Sequence, residues 1–171
     1  MEFDTSKLAT KKENDAKDIF YEHIVPLAEE SFIHDGKLAS MVFLFLDDPE
    51  KDKIAIAPMP ADMFMESSDK KELLATLLHE MADKLEIVAI GMFAEAWATK
   101  VDTETNEISE KQEICFFSFE SENLIYMKRN QVFRSPEDNK ISFEYGQVNI
   151  DQEVSGRFVG FLKDLKKIKQ N

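Results

Sequence analysis

Apolar positions recur along this chain with periods of 3.6 and 2, which divide it into helices and strands. They are spaced as in a helix over residues 19–28, where Pro26 interrupts the pattern. Proline has no N–H to donate, and its ring clashes with the carbonyl four residues back, here that of Glu22. We therefore predict a first helix that kinks at Pro26 or ends near Val25, and Gly36 is placed to close the segment with a positive φ.

Two further helices are predicted. The clearer one covers residues 69–85, where Asp69 and Glu72 have capping-box spacing. Its apolar stripe consists of Leu74, Leu77, Leu78, Met81 and Leu85. A last amphipathic helix is predicted to begin after Ser155, and the lysines in its final turn suit the negative end of the helix dipole. Both helices need an apolar surface to pack on, and strands must supply it.

Short apolar runs between polar turns predict those strands. Residues 41–46 are apolar throughout, as in a strand buried on both faces, and residues 54–57 return as its hairpin partner. Further strands are predicted over residues 86–99, 113–120, 124–130, 131–134 and 140–145. The element order is α-β-β-α-β-β-β-β-β-α. We therefore predict an α+β fold in which an antiparallel sheet of about five to seven strands packs against helices.

Composition indicates how many domains the chain forms and which kinds of partner its charge disfavours. A chain of 171 residues, 43% of them hydrophobic, can bury one core, so we expect a single domain over residues 1–171. We expect residues 1–13 to be a loosely ordered polar N-terminus. The net charge of −13 disfavours direct binding to nucleic acid or to an anionic membrane. With no signal-peptide pattern and no apolar run of the ~20 residues that span a bilayer, we expect a cytoplasmic location.

Two resemblances to known proteins bear on function. The element order over roughly residues 14–130, together with the last helix, resembles the Roadblock/LC7 and profilin-like domains, which implies an interaction module that often forms dimers. The segment Glu95-Ala-Trp97, a polar loop and then Glu113-Ile-Cys-Phe-Phe117 is similar to uncharacterised bacterial and phage proteins that have a Glu-x-Trp strand. This second resemblance implies a phage or mobile-element origin and no particular activity.

Motifs for catalysis or metal binding are incomplete in this sequence. His79-Glu80 begins a zinc-protease pattern, but Asp83 stands where the second histidine belongs. The acidic loops at 47–52 and 102–106 lack the glycine and the late glutamate of an EF-hand loop. Cys115 is the only cysteine, so we expect it to be a small buried group. We therefore assign no catalytic residue, no metal ligand and no cofactor, and favour a protein that is not an enzyme.

The strand over residues 86–99 offers a candidate binding surface. Period-2 alternation places Phe93, Glu95 and Trp97 on one face. Two interpretations are open. Glu95 pairs with Lys128 or Arg129 of a following strand as part of the sheet, or the three residues form a shallow surface for a ligand or partner.

The connection before the second helix is another candidate, since Met63, Phe64 and Met65 are consecutive flexible or aromatic residues. They form an adaptable contact surface, or they pack beneath the following helix.

We favour a non-enzymatic protein–protein interaction module whose partner is another protein or a second copy in a homodimer. One alternative is a small-molecule-binding protein or an enzyme with a pocket around Glu95, Trp97 and His34. Another is an acidic mimic of DNA that occupies a basic groove, whose binding should weaken steeply with salt.

Overall fold

A computed structural model describes residues 9–99, 102, 104–108, 110–146 and 149–150 of the chain. The helices are α1 (Lys11–Ile19), α2 (Val25–Asp35), α3 (Asp62–Met65) and α4 (Ser68–Lys84). The strands are β1 (Met41–Asp48), β2 (Lys53–Pro60), β3 (Ile87–Ala98), β4 (Gln112–Ser121), β5 (Ile125–Arg134), β6 (Ile141–Tyr145) and β7 (Asn149–Ile150). The predicted α+β class is confirmed. The helix predicted after Ser155 lies outside the described residues, as do residues 1–8 of the expected loose N-terminus.

All seven strands join one antiparallel sheet, as predicted. The order is β2-β1-β3-β4-β5-β6, and the short β7 also pairs with β5. The predicted break between Asn130 and Gln131 is wrong, because β5 runs unbroken through both residues. Each of them is paired on both sides, to β4 and to β6. Pairing on both sides keeps the chain extended across this position.

Helices α1 and α2 are continuous through a π-helical turn at Phe20–Ile24, and we call the whole segment the α1–α2 helix. The helix does not end near Val25, one of the two predicted alternatives, since it continues and Pro26 lies in the first turn of α2. An N–H is not needed there for the regular helical bonds. Instead the Val25 N–H donates to the Phe20 carbonyl, five residues back. The other alternative, a kink at Pro26, stays a prediction. Gly36 ends α2 with φ 77°, as predicted.

The α1–α2 helix packs on one face of the sheet and forms a first hydrophobic core there. Phe20, fully buried, lies over Gly91, where a Cβ atom would come within 2.6 Å of the ring. Glycine therefore allows the ring to rest directly on the backbone of β3. The rings of Phe43, Phe45 and Phe119 surround it, with centroids 5.9 to 6.4 Å away. These contacts fix where the helix crosses the sheet.

Helix α4 covers part of the opposite face and forms a second core with β1 and β3. Leu74 and Leu78 of the predicted stripe are buried in it, whereas Leu85 follows the helix and is exposed. The predicted cap is wrong, because the side chain of Ser67, not Asp69, accepts the first hydrogen bond, from the Lys70 N–H. No helix in the described ranges has the length and apolarity needed to cross a membrane.

The predicted alternation of side chains between the two faces of β3 is confirmed from Ala89 onward. The residues that face α4 are Ile90, Met92 and Ala94, and those that face the α1–α2 helix are Ala89 and Phe93. The predicted faces of Ile87 and Val88 are wrong. The β1–β3 register shifts between Phe45 and Leu46, so Ile87 joins the second core and Val88 the first. Such a bulge reverses the side-chain direction on either side of it.

Candidate functional site

The α1–α2 helix crosses the sheet obliquely. Near its start, the Asn123 N–H, in the turn between β4 and β5, donates to Glu13 at 2.9 Å. Near its end, Phe32 stacks on Phe143 of β6 with ring centroids 5.4 Å apart. The last turns of α2 therefore lie over β5 and β6, and no described helix covers the first residues of β1 on this face.

A groove of about 300 Å³ opens at this corner, and we call it the α2 groove. Its lining contains no charged side chain and consists of Ile24, Leu27, Ala28, Ser31, Leu38, Ala39, Met41, Phe43 and Phe93. Phe43 and Phe93 form the floor, with ring centroids 5.5 Å apart. Leu27 stands at the rim and is 67% exposed. The groove is therefore an apolar surface that is open to solvent.

Glu95 lies next to the α2 groove but outside its lining, and its Oε1 accepts a hydrogen bond from the N–H of the lining residue Leu38. This contact holds the turn after α2 against β3. The predicted pairing of Glu95 with Lys128 or Arg129 is wrong. Helix α2 carries Glu29 over β5, and Lys128 Nζ lies 2.5 Å from its Oε1.

Glu95 is exposed, and its basic neighbour Arg134 interacts with it electrostatically but forms its ion pair with Glu113. None of the described basic side chains forms an ion pair with Glu95, so it places a negative charge beside the groove.

Trp97 follows Glu95 on the same face and is 68% exposed. Its cross-strand neighbour is Glu113, whose carboxylate accepts two hydrogen bonds from Arg134, at 2.8 and 2.5 Å. Arg134 also donates to the Gly36 carbonyl at 2.8 Å. The neighbours of Trp97 are thus held in place by polar contacts, while most of the indole remains open to solvent.

The Met63–Met65 segment forms α3, a single helical turn on the α4 side of the sheet. Phe64 and Met65 pack against the second core, whereas Met63 is exposed. Asp62 anchors this turn to the start of β1, since its Oδ1 accepts a hydrogen bond from the Ser40 N–H at 2.6 Å. The structure brings Phe93, Glu95 and Trp97 together on one face but places this segment on the other.

His34, the third residue of the alternative pocket, is exposed in the last turn of α2 and is outside the groove lining. Its Nδ1 lies 2.7 Å from Asp35 Oδ1. The hydrogen bond to Asp35 raises the pKa of His34. The histidine thus has a local partner on its own helix.

A buried polar cluster lies between α2 and the sheet, and sequence reasoning missed it. Asn130 is fully buried and donates from Nδ2 to Glu29 Oε1 at 2.6 Å, beside Lys128. Its cross-strand neighbour Cys115 is fully buried, as predicted. Burial raises the pKa of Cys115 to about 12, and nearby carboxylates, first that of Glu95, contribute to this increase. The only sign of this cluster in the sequence was that Glu29 falls on the side of an amphipathic helix that packs on the sheet.

No protein-family model, curated protein or solved structure matches this chain. The resemblances to Roadblock/LC7 and profilin-like domains and to the Glu-x-Trp proteins therefore stay predictions. Among the residues the structure describes, no group of three or more His, Cys, Asp or Glu side chains is arranged to hold a metal ion. Function is inferred below from the groove and its surroundings.

Proposed function

We propose that this chain is a protein–protein interaction module that binds an apolar segment of a partner in the α2 groove. The supporting observation is an uncharged, solvent-open groove with an exposed leucine at its rim, on a chain of net charge −13. Burial of apolar surface stabilises a complex by roughly 25 cal/mol per Å². A lining without charges adds no cost of ion desolvation. The groove is thus the part of this acidic surface where close contact with another protein is least opposed.

Trp97 offers the partner a second contact, beyond Glu95. Tryptophan is enriched among the residues that dominate binding energy at interfaces. The indole is exposed, and its cross-strand neighbour Glu113 is held by Arg134, so the contact surface around it is ordered before binding. An ordered surface loses little conformational entropy when a partner binds.

A second copy of this chain is among the partners we propose. In a twofold dimer the same surface is used by both copies, so Leu27 of each would enter the groove of the other. The native mass spectrum of the purified protein tests this form. A dimer mass supports self-association, and a monomer mass at all concentrations overturns the homodimer form of the proposal.

The variant Leu27→Gln tests the groove itself. Burying a leucine contributes about 1.5–3 kcal/mol, so we expect partner binding or self-association to weaken by about tenfold or more. The matched control is Ile33→Gln, because Ile33 lies on the same helix, is 45% exposed and is outside the groove lining. Both exposed positions should tolerate the change in the folded protein. Equal loss, or equal retention, of association in the two variants would contradict the proposal.

The groove volume supports a second candidate function, binding of a small molecule. About 300 Å³ lies at the lower limit of typical ligand pockets, and Glu95, bonded to the lining residue Leu38, adds a carboxylate next to the groove. The variant Glu95→Gln keeps an acceptor for the Leu38 N–H and removes the charge. A small-molecule mass that remains on the native protein but is absent from Glu95→Gln would favour this function over protein binding.

A further inference from the structure

We propose that the occupant of the α2 groove is an amphipathic α-helix of a protein partner, with lysine or arginine residues beside its apolar stripe. The inference rests on the proposed function of the groove as a protein-binding site. It specifies the secondary structure and the charge of the bound segment.

The backbone of β2, an edge strand of the sheet, argues against an added strand. The Ala61 N–H donates to the Ser40 carbonyl at 2.8 Å, which continues the β1–β2 ladder. Backbone groups alternate in direction along a strand, so the odd-numbered residues of β2 point toward β1 and the even-numbered residues point outward. Pro58 and Pro60 are therefore outward-pointing residues, and neither has an N–H to donate.

These two prolines lie beside the groove. In the β1–β2 register Pro60 is opposite Met41 and Pro58 is opposite Phe43, and both of these β1 residues line the groove. A strand added at this edge would lack two hydrogen bonds of its ladder. Prolines at such positions are a known protection of sheet edges against strand addition.

A helix satisfies its own backbone hydrogen bonds and needs only an apolar strip to lie on. The wall that the α1–α2 helix contributes runs from Ile24 to Ser31, about 11 Å of helix at 1.5 Å per residue. Two turns of an incoming helix have this length, so its residues i, i+3 or i+4, and i+7 can all contact the floor. Helices pack about 8–10 Å apart, which places the incoming helix above β1 and β2. It would fill the corner that the α1–α2 helix leaves uncovered.

The charges near the groove indicate which charged residues the bound helix should carry. Glu95 accepts a hydrogen bond from the lining residue Leu38, and Glu30 lies one turn after the lining residue Leu27 on α2; both carboxylates are exposed and lie outside the lining itself. Among the described residues, no lysine or arginine forms an ion pair with either carboxylate. The chain as a whole has a net charge of −13. Basic residues beside the apolar stripe of a partner would meet both carboxylates, whereas an acidic helix would be repelled. The α2 helix of a second copy carries Glu30 near Leu27 and has no lysine or arginine, so this inference selects a different protein over the homodimer.

Three synthetic peptides of about 14 residues, four turns of helix, test the inference. The first is built of leucine and lysine with leucines at helical spacing. The second has the same composition with leucines at every second position, which form a stripe only in an extended strand. The third repeats the helical spacing with glutamate in place of lysine. Binding to the full chain at physiological salt is measured by fluorescence anisotropy of the labelled peptide. We expect the first to bind at least about tenfold more tightly than the others.

Variants separate groove binding from general attraction between opposite charges. Leu27→Gln should weaken binding of the first peptide by about tenfold, while Ile33→Gln leaves it unchanged. Glu95→Gln should weaken it by about threefold, as expected for one exposed charge.

Each outcome distinguishes this inference from the proposed function. If the strand-patterned peptide binds as tightly as the first and Leu27→Gln weakens its binding, the assignment of a helix is overturned. If the glutamate peptide does so, the assignment of basic residues is overturned. In both cases the groove remains a protein-binding site. Peptide binding that Leu27→Gln does not weaken lies outside the groove and overturns this inference, while the proposed function is still tested by the same variants with the native partner. If no peptide binds, this inference fails, and the proposed function is then decided by the effects of Leu27→Gln and Ile33→Gln on association with the native partner.

Discussion

The substitution Gly91→Ala adds one methyl group where the α1–α2 helix comes closest to the sheet. The new Cβ would lie 2.6 Å from two carbons of the Phe20 ring and 3.2 Å from a third. Carbon atoms in contact are normally about 3.5–4.0 Å apart, so the ring has to move by about an ångström. Phe20 is fully buried among Phe43, Phe45 and Phe119, and it can move only if these rings also shift.

The expected cost follows from two opposing effects. Overpacking a core costs about 1–3 kcal/mol. Replacing glycine by alanine also restricts the unfolded chain, which stabilises the fold by about 0.4–1 kcal/mol. We expect Gly91→Ala to lower the free energy of unfolding by about 1–2 kcal/mol, a substantial part of the roughly 5–15 kcal/mol typical of a domain.

Urea unfolding followed by far-ultraviolet circular dichroism measures this change. The decisive comparison is a double-mutant cycle with Phe20→Leu, which replaces the ring by a smaller side chain. In the Phe20→Leu background, Gly91→Ala should cost clearly less than in the wild type. If Gly91→Ala is neutral or stabilising, or costs the same in both backgrounds, contact between the ring and the strand is not what requires glycine.

Two further predictions concern buried ionisable groups. Burial opposes ionisation of Glu13, but hydrogen bonds led by that from Asn123 outweigh it and lower the pKa of this carboxyl below its ordinary 4.5. Its stabilising effect is therefore present above the unfolded-state pKa and is lost as pH falls through the folded-state pKa. Glu13→Gln should lower the free energy of unfolding by about 1 kcal/mol near neutral pH. The difference between variant and wild type should shrink on acidification. A difference that stays constant with pH contradicts this reasoning. Because burial raises the pKa of Cys115 to about 12, its thiol should react with a disulfide reagent at mildly alkaline pH only as fast as the protein unfolds. Rapid reaction of the folded protein would show that Cys115 is accessible.

Elements with a strong local period were predictable from the sequence. The apolar run of β1 and the stripe of α4 are repeated patterns within one segment, and the left-handed end at Gly36 follows from one residue type. Predictions failed where a distant partner decided the outcome. The predicted boundary between Asn130 and Gln131 does not exist, because pairing with β4 and β6 keeps both residues in one strand.

The candidate site was predictable only in part. Alternation placed Phe93, Glu95 and Trp97 on one face, and the structure confirms that face. The partner of Glu95 is the backbone N–H of Leu38, 57 positions earlier in the chain, and no residue type marks a backbone donor in the sequence. Helix α2 carries Glu29 over Lys128, and this pairing depends on the angle at which the helix crosses the sheet.

The sequence by itself determined the periods of the elements, the excess of acidic residues and the face of β3 on which Glu95 lies. Tertiary structure decided which apolar residues are left uncovered. Ala28 and Leu27 are neighbours in one helical pattern, but Ala28 is buried and Leu27 is at the rim of the groove. The reason is physical: a periodic pattern shows that a helix has an apolar side, whereas the burial of each residue depends on the surface opposite it. Here the oblique crossing of the α1–α2 helix leaves one corner of the sheet without a helix among the described residues.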